Sequence, residues 1–402
     1  MGSADLTADE LAERVGVPLE RVDRLVELGI LEPTDGRFPR RDVLRARVVE
    51  HLAERGIAPE DVARGLASGE ITLGYLEAVG RRPPRSDRTF EELSEETGLP
   101  FTTLQRMYVA FGFPAPHPDE RIREDDIDTI RGILVMHVAG VGEDDLLRIA
   151  RVWGESTRRV AQYQSHYLHA AIEEPFRRKG LGDNAAFEAA IREVGLRVGR
   201  SGEGMLTWLY RRHGESHHLE HAVQHVEAAL ERADVRPRPG ASIGAAVFAD
   251  LTGYTDLTER AGDEVAVEVS VLLAQLVLEV AGRHRGDVVK MLGDGVHLHF
   301  ADPGDAVRAA LEIVGTVESR GLPPAHVGVN AGPMIYEEGD WFGGTVNVAA
   351  RIASHAGPGQ VLLGEAVVPV VTRAGFSLHE VGALELKGVG RPVTVFEAAP
   401  KS

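Results

Sequence analysis

Asp250 closes the apolar run 245–250 (AAVFAD) and precedes Leu251-Thr252-Gly253-Tyr254-Thr255, a turn that reads into a helix. A carboxylate at a strand end beside a Gly-containing helix start suits a metal-bound triphosphate. The backbone N–H groups around Thr252 and Gly253 and the helix dipole would meet the phosphates there. Strand-Asp turns are common, so the signal is weak alone. Further on, 288–292 (VVKML) and 296–300 (VHLHF) alternate about Gly293-Asp294-Gly295, a hairpin with an acidic tip. If it packs beside the first strand, Asp250 and Asp294 converge on one cation. Two carboxylates suit hard Mg²⁺ or Mn²⁺, which keeps positions for phosphate oxygens and water; an Asp-Gly turn chosen only for its positive φ is the competing explanation. A third segment, 340–351 (DWFGGTVNVAAR), follows a strand at 327–332. In it Asn347 and Arg351 are four residues apart on one face of a new helix, offering an amide and a guanidinium to the same anion.

The elements that must hold these residues alternate between strand and helix after Gly240, whereas the region before it is helical in pattern, with apolar residues three and four apart. Two Pro/Arg-rich stretches, 81–85 (RRPPR) and 236–240 (RPRPG), cannot continue a helix and read as boundaries. The helical region also repeats. Glu10-Leu11-Ala12-Glu13 to Pro18 matches Glu92-Leu93-Ser94-Glu95 to Pro100, and 56–63 (GIAPEDVA) resembles 140–147 (GVGEDDLL), at an offset of 82 to 84 residues. Each repeat looks like a helix–turn–helix with a short wing, carrying Gly29 and Gly36 in the first. The expected division is 1–82 and 86–155 for the repeats, 156–240 for dimerising and linker helices, and 241–397 for the α/β-patterned part.

Composition narrows the partners. The 402 residues carry 62 acidic and 44 basic side chains, a net charge of −18, and no cysteine. That excludes disulfides, Cys-ligated zinc and thiol catalysis and fits a reducing cytoplasm. A helix–turn–helix invites a DNA reading, with Arg37, Arg40, Arg41, Arg45 and Arg47 on phosphates. Residues 1–80, however, hold 10 basic against 16 acidic side chains, and Glu20, Asp23 and Glu27 line the would-be recognition helix. Nucleic acid is therefore not the expected partner. The longest apolar stretch, 269–281, is too short to span a bilayer, and no export signal opens the chain. His213, His217, His221 and His225 recur every four residues, with His218 beside them. Such a stripe would bind a transition metal, titrate as a switch between pH 5 and 7, or form a solvated face.

Taken in order, VFADLTGYT, VVKMLGDGVHLHF, GDWFGGTVNVAARI and LELKGVGRPVTVFE resemble the catalytic domain of class III nucleotidyl cyclases over about 241–397. The resemblance implies an α+β, ferredoxin-like domain that makes 3′,5′-cyclic AMP and pyrophosphate from ATP. It implies two metal ions (Mg²⁺ or Mn²⁺) per site on Asp250 and Asp294, and Lys290 and Asp340 as the pair that recognises adenine. Asn347 and Arg351 match the transition-state residues, and Lys387 the lysine that reaches the terminal phosphates. The base pair is chemically sensible: Lys donates to an acceptor on the adenine edge and Asp accepts from the exocyclic amine, whereas guanine presents the reverse pattern. Gly344 departs from the family, in which Asp is common at this position. Because the family draws the metal carboxylates from one subunit and the base and transition-state residues from the other, a head-to-tail homodimer is implied.

The preceding half, most clearly residues 90–170, resembles the helical regulatory domain of bacterial cyclases that are autoinhibited near neutral pH and activated by acid, some also by fatty acids. Multidomain architecture follows: an all-α regulatory half and one cyclase domain, with pH or a lipid acting through the linker helix and its His stripe. Two other readings compete, a nucleotide-sensing DNA-binding regulator with a cyclase-like domain and a lipid-sensing scaffold with residual activity.

Overall fold

Thr7 and Glu10 start the first helix by a reciprocal exchange. The Thr7 hydroxyl accepts from the Glu10 N–H at 3.2 Å and the Glu10 carboxylate from the Thr7 N–H at 2.8 Å, which satisfies two of the donors a helix start leaves unpaired. Thr89 and Glu92 repeat the exchange at 3.2 and 2.9 Å. The computed structural model describes residues 5–39, 41–74, 76, 85–191, 196–233, 244–371 and 375–400. The chain falls into two compact units, 1–224 and 225–402.

In the first unit, α1 (Ala8–Val15), α2 (Leu19–Glu27), α3 (Asp42–Glu54) and α4 (Pro59–Ser68) form one repeat. The second has β1 (Arg85–Thr89), α5 (Phe90–Thr97), α6 (Phe101–Ala110), β2 (Arg121–Arg123) and α7 (Glu124–Val138). The long α8 (Glu143–Arg178), α9 (Asp183–Ala190) and α10 (Leu196–Arg232) follow. The repeat is structural: α1 and α5 both end on a left-handed glycine, Gly16 and Gly98, and α2 and α6 both follow a proline, Pro18 and Pro100. Each repeat closes on its own apolar cluster, around Leu11, Val22 and Leu25 in one and Leu93, Leu104 and Ile130 in the other.

This half is helical, as expected, with short extended wings beside the helices. β1 and β2 pair antiparallel, and Thr34 and Arg37 exchange two backbone bonds of 2.9 Å about Asp35 (φ 50) and Gly36 (φ 71). Two successive positive φ values make the tight hairpin turn that Gly36 permits. The arginines expected on DNA phosphates are largely committed within the chain. Arg37 donates to the Asp5 carbonyl at 2.9 Å, Arg47 to the Arg14 carbonyl, and Arg45 lies 3.9 Å from the Asp42 carboxylate. Arg40 and the two Pro/Arg-rich junctions, at 81–84 and 236–240, lie outside the described residues. His213, His217, His218, His221 and His225 all sit at exposed positions of α10.

After the end of α10, which falls in the second unit, that unit continues with β3 (Gly244–Leu251), α11 (Tyr254–Ala261), α12 (Asp263–Arg283), β4 (Gly286–Met291), β5 (Gly295–Phe300), α13 (Pro303–Thr316) and β6 (Ala325–Gly332). It continues with β7 (Ile335–Glu337), β8 (Asp340–Phe342), α14 (Gly344–Ala353), β9 (Val361–Gly364), α15 (Val368–Val371), β10 (Ser377–Leu384) and β11 (Val393–Ala399). The main sheet runs β10-β11-β9-β6-β3-β5-β4. Its β6-β3-β5-β4 part, antiparallel throughout, has the strand order of a ferredoxin-like βαββαβ unit. Alternation sorts the side chains: Val247, Ala249, Val296, Leu298, Val327 and Val329 join α12 and α13 in the core, and the residues between them face the other way. α12 has the length and hydropathy to cross a membrane, a longer helix than the apolar run at 269–281 indicated. Its Leu273, Leu276, Val277 and Val280 are buried in the sheet's core.

The opposite face carries α14. Gly328 of β6 makes the approach possible: a Cβ there would lie 2.6 Å from the Ala349 carbonyl and overlap the Ala353 backbone nitrogen. We predict that Gly328→Ala destabilises the second unit by about 1–3 kcal/mol. It should also weaken the activity that the sequence leads one to expect, because α14 carries Asn347 and Arg351, the residues that the family resemblance assigns to the transition state. A thermal melt beside an activity assay checks this; an unchanged midpoint would show that the strand and helix yield freely.

Candidate functional site

Asp250 stands near the end of β3, on the sheet face shared with Phe248 and opposite the buried core residues Val247 and Ala249. Its cross-strand neighbours are Gly295 of β5 and His326 of β6. A Cβ at Gly295 would meet Asp250 Oδ1 at 2.8 Å, so glycine gives the carboxylate its room. The Leu251 N–H donates to the Asp294 carbonyl at 3.1 Å, fastening the β4–β5 tip to the end of β3 and bringing the two expected aspartates together. Burial first, and then the Asp294 charge, push the Asp250 carboxyl above its ordinary range. A cation would relieve both effects, and two carboxylates are hard oxygen donors, so the pair fits Mg²⁺ or Mn²⁺. Among the described residues no group of three or more His, Cys, Asp or Glu side chains is arranged to hold an ion. Remaining ligands would be phosphate oxygens and water.

The sequence reading missed His326. Its Nε2 lies 3.7 Å from Asp250 Oδ2 and its Nδ1 3.2 Å from Thr252 Oγ1. The Thr252 N–H donates to the Pro324 carbonyl at 2.8 Å, so this donor is already committed within the protein. Gly253, with φ 77, turns the chain into α11.

The expected base-recognition pair is assembled. Lys290 of β4 lies opposite His297 of β5, and its Nζ donates to Asp340 Oδ2 at 2.5 Å. Asp340 Oδ1 accepts from the Trp341 N–H at 2.8 Å. Burial opposes ionisation of Asp340, but the bonds from the Lys290 ammonium and the Trp341 N–H, together with the nearby Lys290 charge and His297, outweigh it and hold the carboxyl below its ordinary range. What carries Asp340 there is the β7–β8 hairpin, turned at Glu338 (φ 50) and Gly339 (φ 85). Trp341 stacks on His299 of β5 with centroids 3.9 Å apart. The signal for this hairpin lay in the Glu-Gly dipeptide between Ile335-Tyr336 and Trp341-Phe342.

Asn347 and Arg351 lie at exposed positions of α14. The start of this helix is anchored by the Thr345 hydroxyl on the Pro333 carbonyl at 2.8 Å and the Asn330 amide on the Thr345 carbonyl at 3.3 Å. Lys387 is exposed between β10 and β11, before Gly388 at φ 82. Asn347, Arg351 and Lys387 make no bond to Asp250, Asp294, Lys290 or Asp340 within the described residues. In the first unit, Met107, Phe111, Ile133, Met136, Leu146 and Trp153 help line an apolar cavity of about 310 Å³.

Residues 242–397 match the family "Adenylate and Guanylate cyclase catalytic domain", and residues 29–190 match "Adenylate cyclase regulatory domain". A Mycobacterium tuberculosis protein named pH-sensitive adenylate cyclase is 28% identical over 363 residues, which are 88% of this chain and 87% of that one. The adenylate cyclase of Streptomyces griseus is 27% identical over 348 residues, 85% of this chain and 80% of its own. Among solved structures, the adenylyl cyclase CyaB from P. aeruginosa aligns with 40% of this chain and 95% of its own, at 19% identity and a TM-score of 0.37. With its catalytic segment and regulatory segment each matched in turn, and relatives aligned across both, the chain belongs to the class III adenylate cyclases.

Proposed function

We propose that this adenylate cyclase works as a head-to-tail homodimer in which Asp250 and Asp294 of one subunit meet Lys290, Asp340, Asn347 and Arg351 of the other. The observation that carries this reading is the separation of roles within one chain. The aspartates converge at the β3–β5 end and the Lys290–Asp340 pair is formed, while Asn347 and Arg351 face outward on α14. In the reaction the ribose 3′-oxygen attacks the α-phosphorus in line and pyrophosphate leaves. Divalent ions on Asp250 and Asp294 would lower the pKa of the 3′-hydroxyl and neutralise the leaving group. Arg351 stabilises the charge that grows on the α-phosphate, Asn347 orients the ribose, and Lys387 and the Gly253 N–H, rather than the committed Thr252 N–H, meet the outer phosphates. Lys290 and Asp340 read adenine. A second surface supports pairing of two copies: exposed Leu219, Val223, Val226 and Leu230 of α10 keep the four-three-four spacing of a coiled-coil seam. The cysteine-free composition suits a reducing cytoplasm.

The first unit sets the rate in this reading, and acid is the signal. Support comes from the M. tuberculosis relative's name and from the exposed imidazoles at 213, 217, 221 and 225 on the helix that leads toward the catalytic unit. Protonation places like charges four residues apart, each pair costing an isolated helix a few tenths of a kcal/mol, roughly. Together they bias a balanced two-state dimer. For an acyl-chain effector, the support is the apolar cavity of the first unit. The test follows cyclic AMP formation against pH for the full chain and for 241–402 alone. We expect acid activation in the full chain only, flattened by His217→Gln, His221→Gln and His225→Gln together. Equal profiles for the two proteins would remove the regulatory role.

A further inference from the structure

His297 of β5 is 1% exposed, and neither ring nitrogen has a hydrogen-bond partner among the described residues. It points to the sheet face that carries Asp250, since its strand neighbours Val296 and Leu298 point into the core. Its ring stacks on Phe248 with centroids 4.5 Å apart and planes 7° from parallel, which fixes its orientation. Nδ1 lies 3.8 Å from Asp340 Oδ1, and Lys290 is its cross-strand neighbour. Burial, aided by the nearby Lys290 and His299 and opposed by Asp340, pulls its pKa down to about 4. The imidazole is therefore neutral, with one N–H to give. A buried polar ring with both nitrogens unpaired is costly, and the cost points to a state in which it is recovered.

We propose that His297 is a positioning residue for base recognition: in the substrate complex its Nδ1–H donates to Asp340 Oδ1 and holds the carboxylate while Lys290 turns to the base. The proposal rests on the assignment of Lys290 and Asp340 to the base. These two satisfy each other at 2.5 Å. Reading a base edge requires each to take a partner there, so the carboxylate loses its ammonium donor. The Trp341 N–H still holds Oδ1 at 2.8 Å, and a carboxylate oxygen accepts a second bond. His297 Nδ1 supplies it by a closure of about 1 Å. The stack on Phe248 holds the ring, so Asp340, on the β7–β8 hairpin, makes the movement.

The test compares kcat and KM for ATP and GTP in the full chain, with thermal midpoints, for wild type, His297→Phe, His297→Asn, Asp340→Ala and the His297→Phe, Asp340→Ala double variant. Phenylalanine keeps the stack and removes both nitrogens; asparagine returns an N–H near the position of Nδ1. We expect His297→Phe to lower the ATP-over-GTP ratio of kcat/KM by about tenfold, chiefly through KM for ATP. Its midpoint should hold or rise, asparagine should restore most of the ratio, and phenylalanine should add nothing once Asp340 is alanine. If His297→Phe does not fold, His297→Leu takes its place under the same criteria. A ratio unmoved by His297→Phe while Asp340→Ala shifts it would overturn the proposal and leave the base assignment standing. So would a loss that asparagine does not rescue, since that marks packing alone. If Asp340→Ala itself leaves the ratio unchanged, the base assignment fails and the proposal goes with it.

Discussion

Asp294→Ala and Arg351→Ala are each expected to abolish measurable cyclic AMP formation when assayed alone, and to recover activity when mixed. Asp294 touches the end of β3 through its own carbonyl, which alanine keeps, so the hairpin should survive while the carboxylate proposed to hold metal is lost. Several kcal/mol of charge stabilisation, at about 1.4 kcal/mol per decade, corresponds to a loss on the order of a thousandfold. Removing the Arg351 guanidinium from a developing phosphate charge costs a comparable 10²–10³-fold, roughly. Because the two residues would serve a given site from different subunits, a mixed dimer has one doubly defective site and one intact site. Equal amounts with free exchange should recover about a quarter of wild-type activity. The measurement is cyclic AMP produced from ATP with Mn²⁺ or Mg²⁺ by each variant and by the mixture after exchange. Recovery absent from the mixture, with dimers present, would place both residues in one subunit's site and end the head-to-tail reading.

Base choice should be the next most sensitive property. Lys290 and Asp340 present a donor and an acceptor in fixed order across β4 and β8, paired at 2.5 Å. Lys290→Glu with Asp340→Ser replaces that order by an acceptor and a small group, which suits the N–H groups of guanine. Each unmade buried contact costs about 1–3 kcal/mol, so two together should lower kcat/KM for ATP by roughly a hundredfold and raise GTP relative to ATP by at least as much. Steady-state kinetics with both nucleotides decide it. If the double variant keeps its preference for ATP, the base is read elsewhere, and the Lys290–Asp340 ion pair is structural. Trp341 on His299 holds the hairpin independently of the ion pair, so a general collapse is not expected to mimic a specificity change.

Much of the site could be read from residue order. The strand-Asp-turn at 250, the acidic hairpin tip at 294 and the Asn347–Arg351 spacing depend on local geometry, and local geometry is what alternation and i, i+4 periodicity encode. The structure keeps all three: β3 pairs with β5 in register from Ala245 opposite Phe300 to Asp250 opposite Gly295, and α14 spans both Asn347 and Arg351. The repeats of the regulatory half were equally legible, because capping residues and left-handed glycines are local choices repeated at Thr7 and Thr89 and at Gly16 and Gly98.

The remainder depended on contacts between segments distant in sequence. A histidine in a strand reads the same whether it faces solvent, a ligand or a core. Only packing from distant segments, with Phe248 of β3 stacked on the ring and Asp340 of β8 stopping 3.8 Å away, leaves His297 buried and unpaired. His326 reaches Asp250 because β6 lies beside β3, 76 positions along the chain. In sequence the arginines of the first repeat could be phosphate contacts; in the structure Arg37 and Arg47 donate to backbone carbonyls of the same repeat. By itself, then, the sequence determined the helical and α/β halves, the strand-Asp turn, the acidic hairpin tip and the Asn347–Arg351 spacing, since those follow from residue type and short spacing, and its ordered motifs carried the family resemblance. Which side chains are desolvated, which charges are already paired and which polar groups lack a partner was decided by tertiary packing, because burial is a property of what folds over a residue and not of the residue.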